Sequence, residues 1–279
     1  MDVMSQSILL LGEYNVGKSH FGGQLLGRLT EEKGALKMAG APPSLAPFDG
    51  ILACLNDGRA APHTPSSSYL EGRWPVQDDH GHSVDLLWPD YGGEQIRTIR
   101  AERRMPPEWR KRVETSSGWI LMVRIHNSHV SDDIFSRPLI ELKNEIEPPN
   151  NEFSMSDQAR VVDFLQWLMF IHGASKLTRI AEPRLLLLLS CWDELPEAEQ
   201  SRAPREVLRH RLPMVASFVE TNWEDNSLHI LGLSALERAL SEERRDEDYV
   251  DMGPESFGYV ILPGGERSSD LTLAITPLL

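Results

Sequence analysis

Eight residues near the start of the chain, Gly12-Glu13-Tyr14-Asn15-Val16-Gly17-Lys18-Ser19, have the makings of a phosphate cradle. They fit the P-loop pattern G-x-x-x-x-G-K-[ST]. A turn of this kind points its backbone N–H groups at phosphate oxygens. The helix that follows adds the partial positive charge of its N-terminus. Lys18 is placed to reach the β- and γ-phosphates, and the Ser19 hydroxyl to ligate Mg²⁺. Gly12, Asn15, Val16, Gly17 and His20 complete the candidate phosphate site. The chemistry is that of a nucleoside triphosphate, although glycines in such a turn can also serve packing alone.

Two further stretches carry chemistry. Asp90-Tyr91-Gly92-Gly93 has the form D-x-x-G. A carboxylate at a strand end can hold Mg²⁺, and a glycine three residues on lets its N–H approach a γ-phosphate with no side chain in the way. Ser190-Cys191-Trp192-Asp193 and Ser234-Ala235-Leu236 each follow an apolar run. Thr64 lies in a polar loop ahead of these motifs, with Ser66, Ser67 and Ser68 as rivals for the same role. A loop that orders on a γ-phosphate is a common switching device.

The elements that must position these residues can be read from periodicity. Ile8–Leu11 is a buried strand, and Phe21, Leu25, Leu26 and Leu29 give the following helix one apolar face. Gly34–Pro47 reads as a connection and Phe48–Leu55 as a short helix. Tyr69–Val76 and Ser83–Trp88 form a hairpin that runs into Asp90. A helix over Ile96–Val113 breaks at Pro106-Pro107. Trp119–Ile125 is a buried strand, and 127–151 reads as an insertion. Met155–His172 is a helix capped by Ser156 or Asp157 and ended by Gly173. Leu185–Leu189 and Leu228–Leu233 are strands, with one helix over Arg205–Glu220 between them. Ser241–Asp251 reads as charged and exposed, Phe257–Leu262 as a strand, and Asp270–Thr276 as a short helix. Apolar strands alternating with helices imply a mostly parallel sheet covered on both faces.

With its motifs in this order, the chain resembles the Ras-like GTPases of the translation-factor-related P-loop class, from about Ile8 to Leu240. The resemblance implies an α/β, three-layer P-loop GTPase fold: a mostly parallel sheet with one antiparallel hairpin strand and helices on both faces. It implies a single domain over 1–279, with insertions near 34–57 and 127–152 and a C-terminal extension at 241–279. It also implies bound GTP or GDP and Mg²⁺ held by Ser19, Thr64 and Asp90. Gly93 would sense the γ-phosphate, Asp193 would accept from guanine, and Ser234 and Ala235 would close the base site. Two departures stand out. Ser190-Cys191 replaces the usual Asn-Lys, so Trp192 either lies over or beside the nucleotide or belongs to the core. Glu94 stands where a water-orienting glutamine is usual, so it either polarises water weakly beside Lys18 and Thr64 or plays no part in catalysis. The expected activity is a GTP-binding switch with slow hydrolysis. The alternatives are a catalytically weak nucleotide-binding interaction protein and an ATP-specific NTPase.

More narrowly, Asp90–Glu94, Ser190–Glu194 and the tail Gly258–Leu262 with Asp270-Leu271-Thr272 are similar to a bacterial double-GTPase family found in predicted conflict and anti-phage systems. That resemblance implies a protein partner, a second GTPase, and a regulatory or defence role.

Composition narrows the remaining classes. The 279 residues are 41% hydrophobic and 25% charged, as in a globular chain. A net charge of −14 argues against nucleic acid and anionic membrane surfaces as partners. Two cysteines give neither a disulfide framework nor a metal spacing, and the expected compartment is the cytoplasm. Met1–Ser5 lacks the pattern of a signal peptide, and the longest apolar run is too short to span a bilayer. Arg97, Arg100, Arg103, Arg104, Arg110, Lys111 and Arg112 form a basic cluster after the D-x-x-G. It reads as a solvated helix face or a dock for an acidic partner, ahead of an arginine acting on phosphate.

Overall fold

A computed structural model describes residues 6–42, 46–62, 69–91, 96, 98–99, 102–125, 155–174 and 178–279. Nine strands form one sheet in the order β2-β3-β4-β1-β5-β6-β7-β8-β9. They are β1 (Ser7–Gly12), β2 (Leu36–Met38), β3 (Tyr69–Asp78), β4 (Ser83–Tyr91), β5 (Gly118–Arg124), β6 (Arg184–Ser190), β7 (Leu228–Ser234), β8 (Tyr259–Ile261) and β9 (Arg267–Ser268). The five central strands, β4-β1-β5-β6-β7, are parallel. The antiparallel part exceeds the single hairpin strand read from sequence. β2 and β3 extend one edge, and β8 and β9 the other.

The main helices among the described residues are α1 (Lys18–Thr30), α2 (Ala46–Asn56), α3 (Pro107–Thr115), α4 (Asp157–His172), α5 (Pro204–Arg211), α6 (Pro213–Asn222) and α7 (Glu247–Met252), with one further short α-helical turn at Glu197–Gln200. The strands divide their side chains between two cores. Ile8, Leu10, Ile120, Met122, Leu186 and Leu188 face α1 and α2. Leu9, Leu11, Leu121, Val123, Leu187 and Leu189 face α3, α4, α5 and α6. That double burial is why these strands read as unbroken apolar runs.

Three expectations change. The Gly34–Pro47 connection contains β2, whose three residues pair with Val76, Gln77 and Asp78. The single helix over Arg205–Glu220 is two. Pro213 lacks an N–H to continue the first helix and instead begins the second. Ser241–Asp251 is not wholly exposed, because Tyr249 of α7 is fully buried. Ser156 caps α4 by accepting the Ala159 N–H, and Gly173 ends it. The 127–151 insertion lies outside the described residues.

The C-terminal extension is built into the core on the α1 side, through Val260, Leu271, Ala274, Ile275 and Leu278. A buried polar cluster fastens it there. Arg28 of α1 donates to the Gln24 side-chain oxygen at 2.7 Å and to the carbonyls of Glu255 and Phe257 at 3.0 and 2.6 Å. Gln24 donates to the Tyr249 hydroxyl at 2.7 Å. Burial lowers the Arg28 pKa and raises that of Tyr249. The extension also grips the segment after α2. Ala60 N–H donates to the Ser241 carbonyl, and Asp246 N–H to that of Gly58.

Candidate functional site

The phosphate cradle forms where β1 ends and α1 begins. Gly17 has φ of 82°, a left-handed conformation that glycine adopts without strain, and α1 starts at the next residue. Asn15 is also left-handed, at 61°. Lys18 Nζ donates to the carbonyls of Gly12 and Glu13, both at 2.9 Å, which arches the ammonium over the loop. Ser19 stands in the first turn of α1. His20 Nε2 accepts the Ala61 N–H at 3.1 Å, tying α1 to the segment that leads toward Thr64.

β4 runs parallel beside β1, with Leu9 opposite Leu87. Three residues beyond that pair, β1 reaches Gly12 and β4 reaches Asp90. By residue type, a serine hydroxyl and an aspartate carboxylate are hard-oxygen donors of the kind that suits Mg²⁺ bound partly through substrate phosphates. Of Asp90 only the backbone belongs to the described structure. Thr64, Gly93 and Glu94 lie outside it, as do the rival serines Ser66–Ser68.

The base motif begins at the end of β6. Cys191, left-handed at φ 55°, turns the chain into a short 3-10 turn, Trp192–Glu194. Trp192 settles one of the two readings left open, and against a place at the nucleotide. Its ring is fully buried, its Nε1–H donates to the Gln200 carbonyl at 3.0 Å, and it packs flush on Gly232 of β7. It is a core residue that fixes the turn from beneath. Asp193, beside it, is oriented by a neighbour. Ser234 Oγ donates to Asp193 Oδ1 at 2.5 Å while accepting the Glu237 N–H at 3.0 Å.

A cavity of about 320 Å³ joins the two halves of the site. Asn15, Gly17 and His20 line its P-loop end, and Cys191, Asp193 and Ala235 the end formed by the loops after β6 and β7. Burial pushes the Cys191 thiol up to about 12, so it is a neutral wall and not a nucleophile at ordinary pH.

Arg124 was not singled out by the sequence reading. It ends β5, the strand between β1 and β6, and lines the same cavity. Its Nε donates to Glu194 Oε2 at 3.0 Å, and Nη2 pairs closely with the other carboxylate oxygen. Its Nη1 donates to the Asn15 carbonyl at 3.2 Å. Pairing with Glu194 raises its pKa. Within the basic cluster, Arg110 pairs with Glu114 one turn along α3 at 2.7 Å, as on a solvated helix face, whereas Arg103, in a left-handed turn ahead of α3, pairs across to Asp163 of α4 at 2.6 Å.

A parallel sheet carrying a P-loop between its first strand and helix, with an aspartate motif on a strand two places away, defines a P-loop domain of the GTPase type. The chain belongs to the Double-GTPase 1 family, whose model matches residues 9–278. By family it is therefore a guanine-nucleotide-binding protein. No curated protein matches it. Among solved structures it is similar to the Arl6 (BBS3) small GTPase of Trypanosoma brucei with bound GppNp. There the identity is 10%, the match covers 82% of this chain and 87% of that one, and the TM-score is 0.40. It is also similar to the GTP-bound Ski7 GTPase-like domain of S. cerevisiae: 15% identity, 82% and 42% coverage, TM-score 0.41. The SRb-GTP/SRX complex of the signal recognition particle receptor from Chaetomium thermophilum gives 13%, 95% and 99%, and 0.38. Among the described residues, no helix is long and apolar enough to cross a membrane.

Proposed function

We propose that the protein is a Mg²⁺-dependent GTP-binding switch that hydrolyses GTP slowly alone and acts with a protein partner, a second GTPase, in a bacterial regulatory or defence system. One observation carries the nucleotide part. Asp193 is held by Ser234 at one end of a cavity whose other end is the P-loop. A fixed carboxylate accepts from the N1–H and N2–H₂ of guanine, whereas adenine offers no matching donors. Lys18 would hold the β- and γ-phosphates. Ser19, Asp90 and Thr64 would hold the metal, whose contribution is to neutralise charge on the γ-phosphate. Gly93 would sense that phosphate. Slow turnover follows from Glu94, whose negative charge is repelled by the γ-phosphate it would have to approach.

Calorimetry on nucleotide-free protein tests the reading. GTP is expected to bind at least tenfold tighter than ATP, and Asp193→Asn to shift preference toward xanthine nucleotide. Equal affinity for GTP and ATP, or an unchanged preference in the variant, would remove Asp193 from the base site. Phosphate release abolished by Lys18→Ala, and stimulated by the partner, is the expected result for a slow enzyme.

A further inference from the structure

We propose that Arg124 is a nucleotide-binding residue: one guanidinium that couples the P-loop to the base loop and forms a wall of the purine slot. The inference rests on the guanine-nucleotide reading above. The motif around Asp193 carries no cation of its own, because Ser190 and Cys191 stand ahead of Trp192. A cation reaches the place from the neighbouring strand instead.

The sheet dictates that position. Gly12 of β1 pairs with Met122, and Ser190 of β6 pairs with Arg124. The last residue of β5 therefore emerges between the two loops that must grip opposite ends of a nucleotide. The side chain is 22% exposed and stands between two cavities, this one and a second lined by Glu13, Asp157 and Arg160. Both nitrogens of one edge of the guanidinium are taken by Glu194, and a third nitrogen holds the Asn15 carbonyl. The group is thus fixed in plane, and its flat face is the surface it can still offer. A fixed guanidinium face suits a purine ring, through stacking and cation–π attraction.

Charge supports the same role. Glu194 would otherwise stand uncompensated next to Asp193 at the mouth of a site for a polyanion. Two carboxylates there would oppose phosphate binding. The Arg124 pair cancels the outer one and leaves Asp193 as the acceptor. A bidentate hold on Glu194 with a third bond to Asn15 needs the five-donor fork of arginine, which lysine lacks.

Release of fluorescently labelled GDP and competition by inorganic tripolyphosphate test the proposal in the full chain. Arg124→Ala is expected to speed GDP release by about 2- to 30-fold, the scale of one cation–π contact. Tripolyphosphate affinity should fall as well, through the uncompensated Glu194 charge, but by clearly less than that of GDP, because tripolyphosphate has no ring to stack on. Arg124→Lys should fall between wild type and Arg124→Ala. Adding Cys191→Lys to Arg124→Ala should recover most of the slow release, since a cation then enters the slot from β6. A wild-type release rate in Arg124→Ala, equal losses for GDP and tripolyphosphate, or no recovery with Cys191→Lys would overturn the proposal alone. A wild-type chain that binds no guanine nucleotide would overturn the site reading and this inference with it.

Discussion

Gly232→Ala is the sharpest test of how the base loop is held. A Cβ on Gly232 would sit 2.5, 2.7 and 2.9 Å from three carbons of the Trp192 ring. Ordinary carbon contacts lie at about 3.5–4.0 Å, so the ring must retreat by about 1 Å. It has no room to do so. Trp192 is fully buried, and its Nε1–H is committed to the Gln200 carbonyl. Overpacking of this kind costs about 1–3 kcal/mol. Losing the indole hydrogen bond adds about 0.5–1.5 kcal/mol. The lower entropy of the unfolded alanine chain offsets about 0.4–1 kcal/mol. The net expectation is about 0.5–4 kcal/mol of destabilisation, or a fall in Tm of about 1–7 °C for a chain of this size. Gly27→Ala is the matched control. It sits inside α1 with open space around its Cβ, so it should raise Tm by about 1–2 °C. Differential scanning fluorimetry on both variants, with and without GDP, reads the result. Because Asp193 adjoins Trp192, Gly232→Ala should also lose at least half of the thermal shift that GDP gives the wild type. A Gly232→Ala protein as stable as wild type would refute the claim that Trp192 rigidly supports the loop.

Two further outcomes are expected. With its thiol pushed up to about 12, Cys191 should resist iodoacetamide in the native protein at pH 8 and react only after unfolding. Mass spectrometry of the modified peptides checks this, and rapid native labelling of Cys191 would contradict it. His172 and His229 both have pKa values lowered from 6.5, chiefly by burial. The unfolded chain therefore binds more protons than the native one in this range. Their contribution to stability is complete above pH 6.5 and is lost as pH falls below it. Urea midpoints should drop between pH 7.5 and 5.5, and the drop should shrink in a His172→Gln/His229→Gln double variant.

The parts of the molecule set by local pattern were legible in the sequence. Ile8–Leu11 and Leu185–Leu189 announce strands buried on both faces, and Gly17-Lys18-Ser19 announces a cradle, because each needs only adjacent residues. Pro213 carried a readable signal, a helix break, that the periodicity of Arg205–Glu220 obscured. Trp192 was undecidable from sequence. Its burial depends on Gly232, forty residues away, being small enough to admit it. Arg124 gave no local sign, since it ends an apolar run and its partners lie 109 and 70 residues away. β2 is likewise a product of its partner. Three residues in a glycine- and proline-rich stretch become a strand only because β3 offers an unpaired edge.

The buried link between Arg28 and the C-terminal extension has a mechanical consequence. Helix α1 is a rod of 13 residues, about 20 Å long, with the phosphate cradle at one end. Arg28 lies near the other end, clamped to the carbonyls of Glu255 and Phe257. A pull on residues 255–257 would act on the far end of the helix that begins at Lys18. Cutting the chain after Leu240 would strip a buried cation of two of its acceptors and free the far end of the lever. The extension thus holds the far end of α1, about 15 Å along the helix from Lys18.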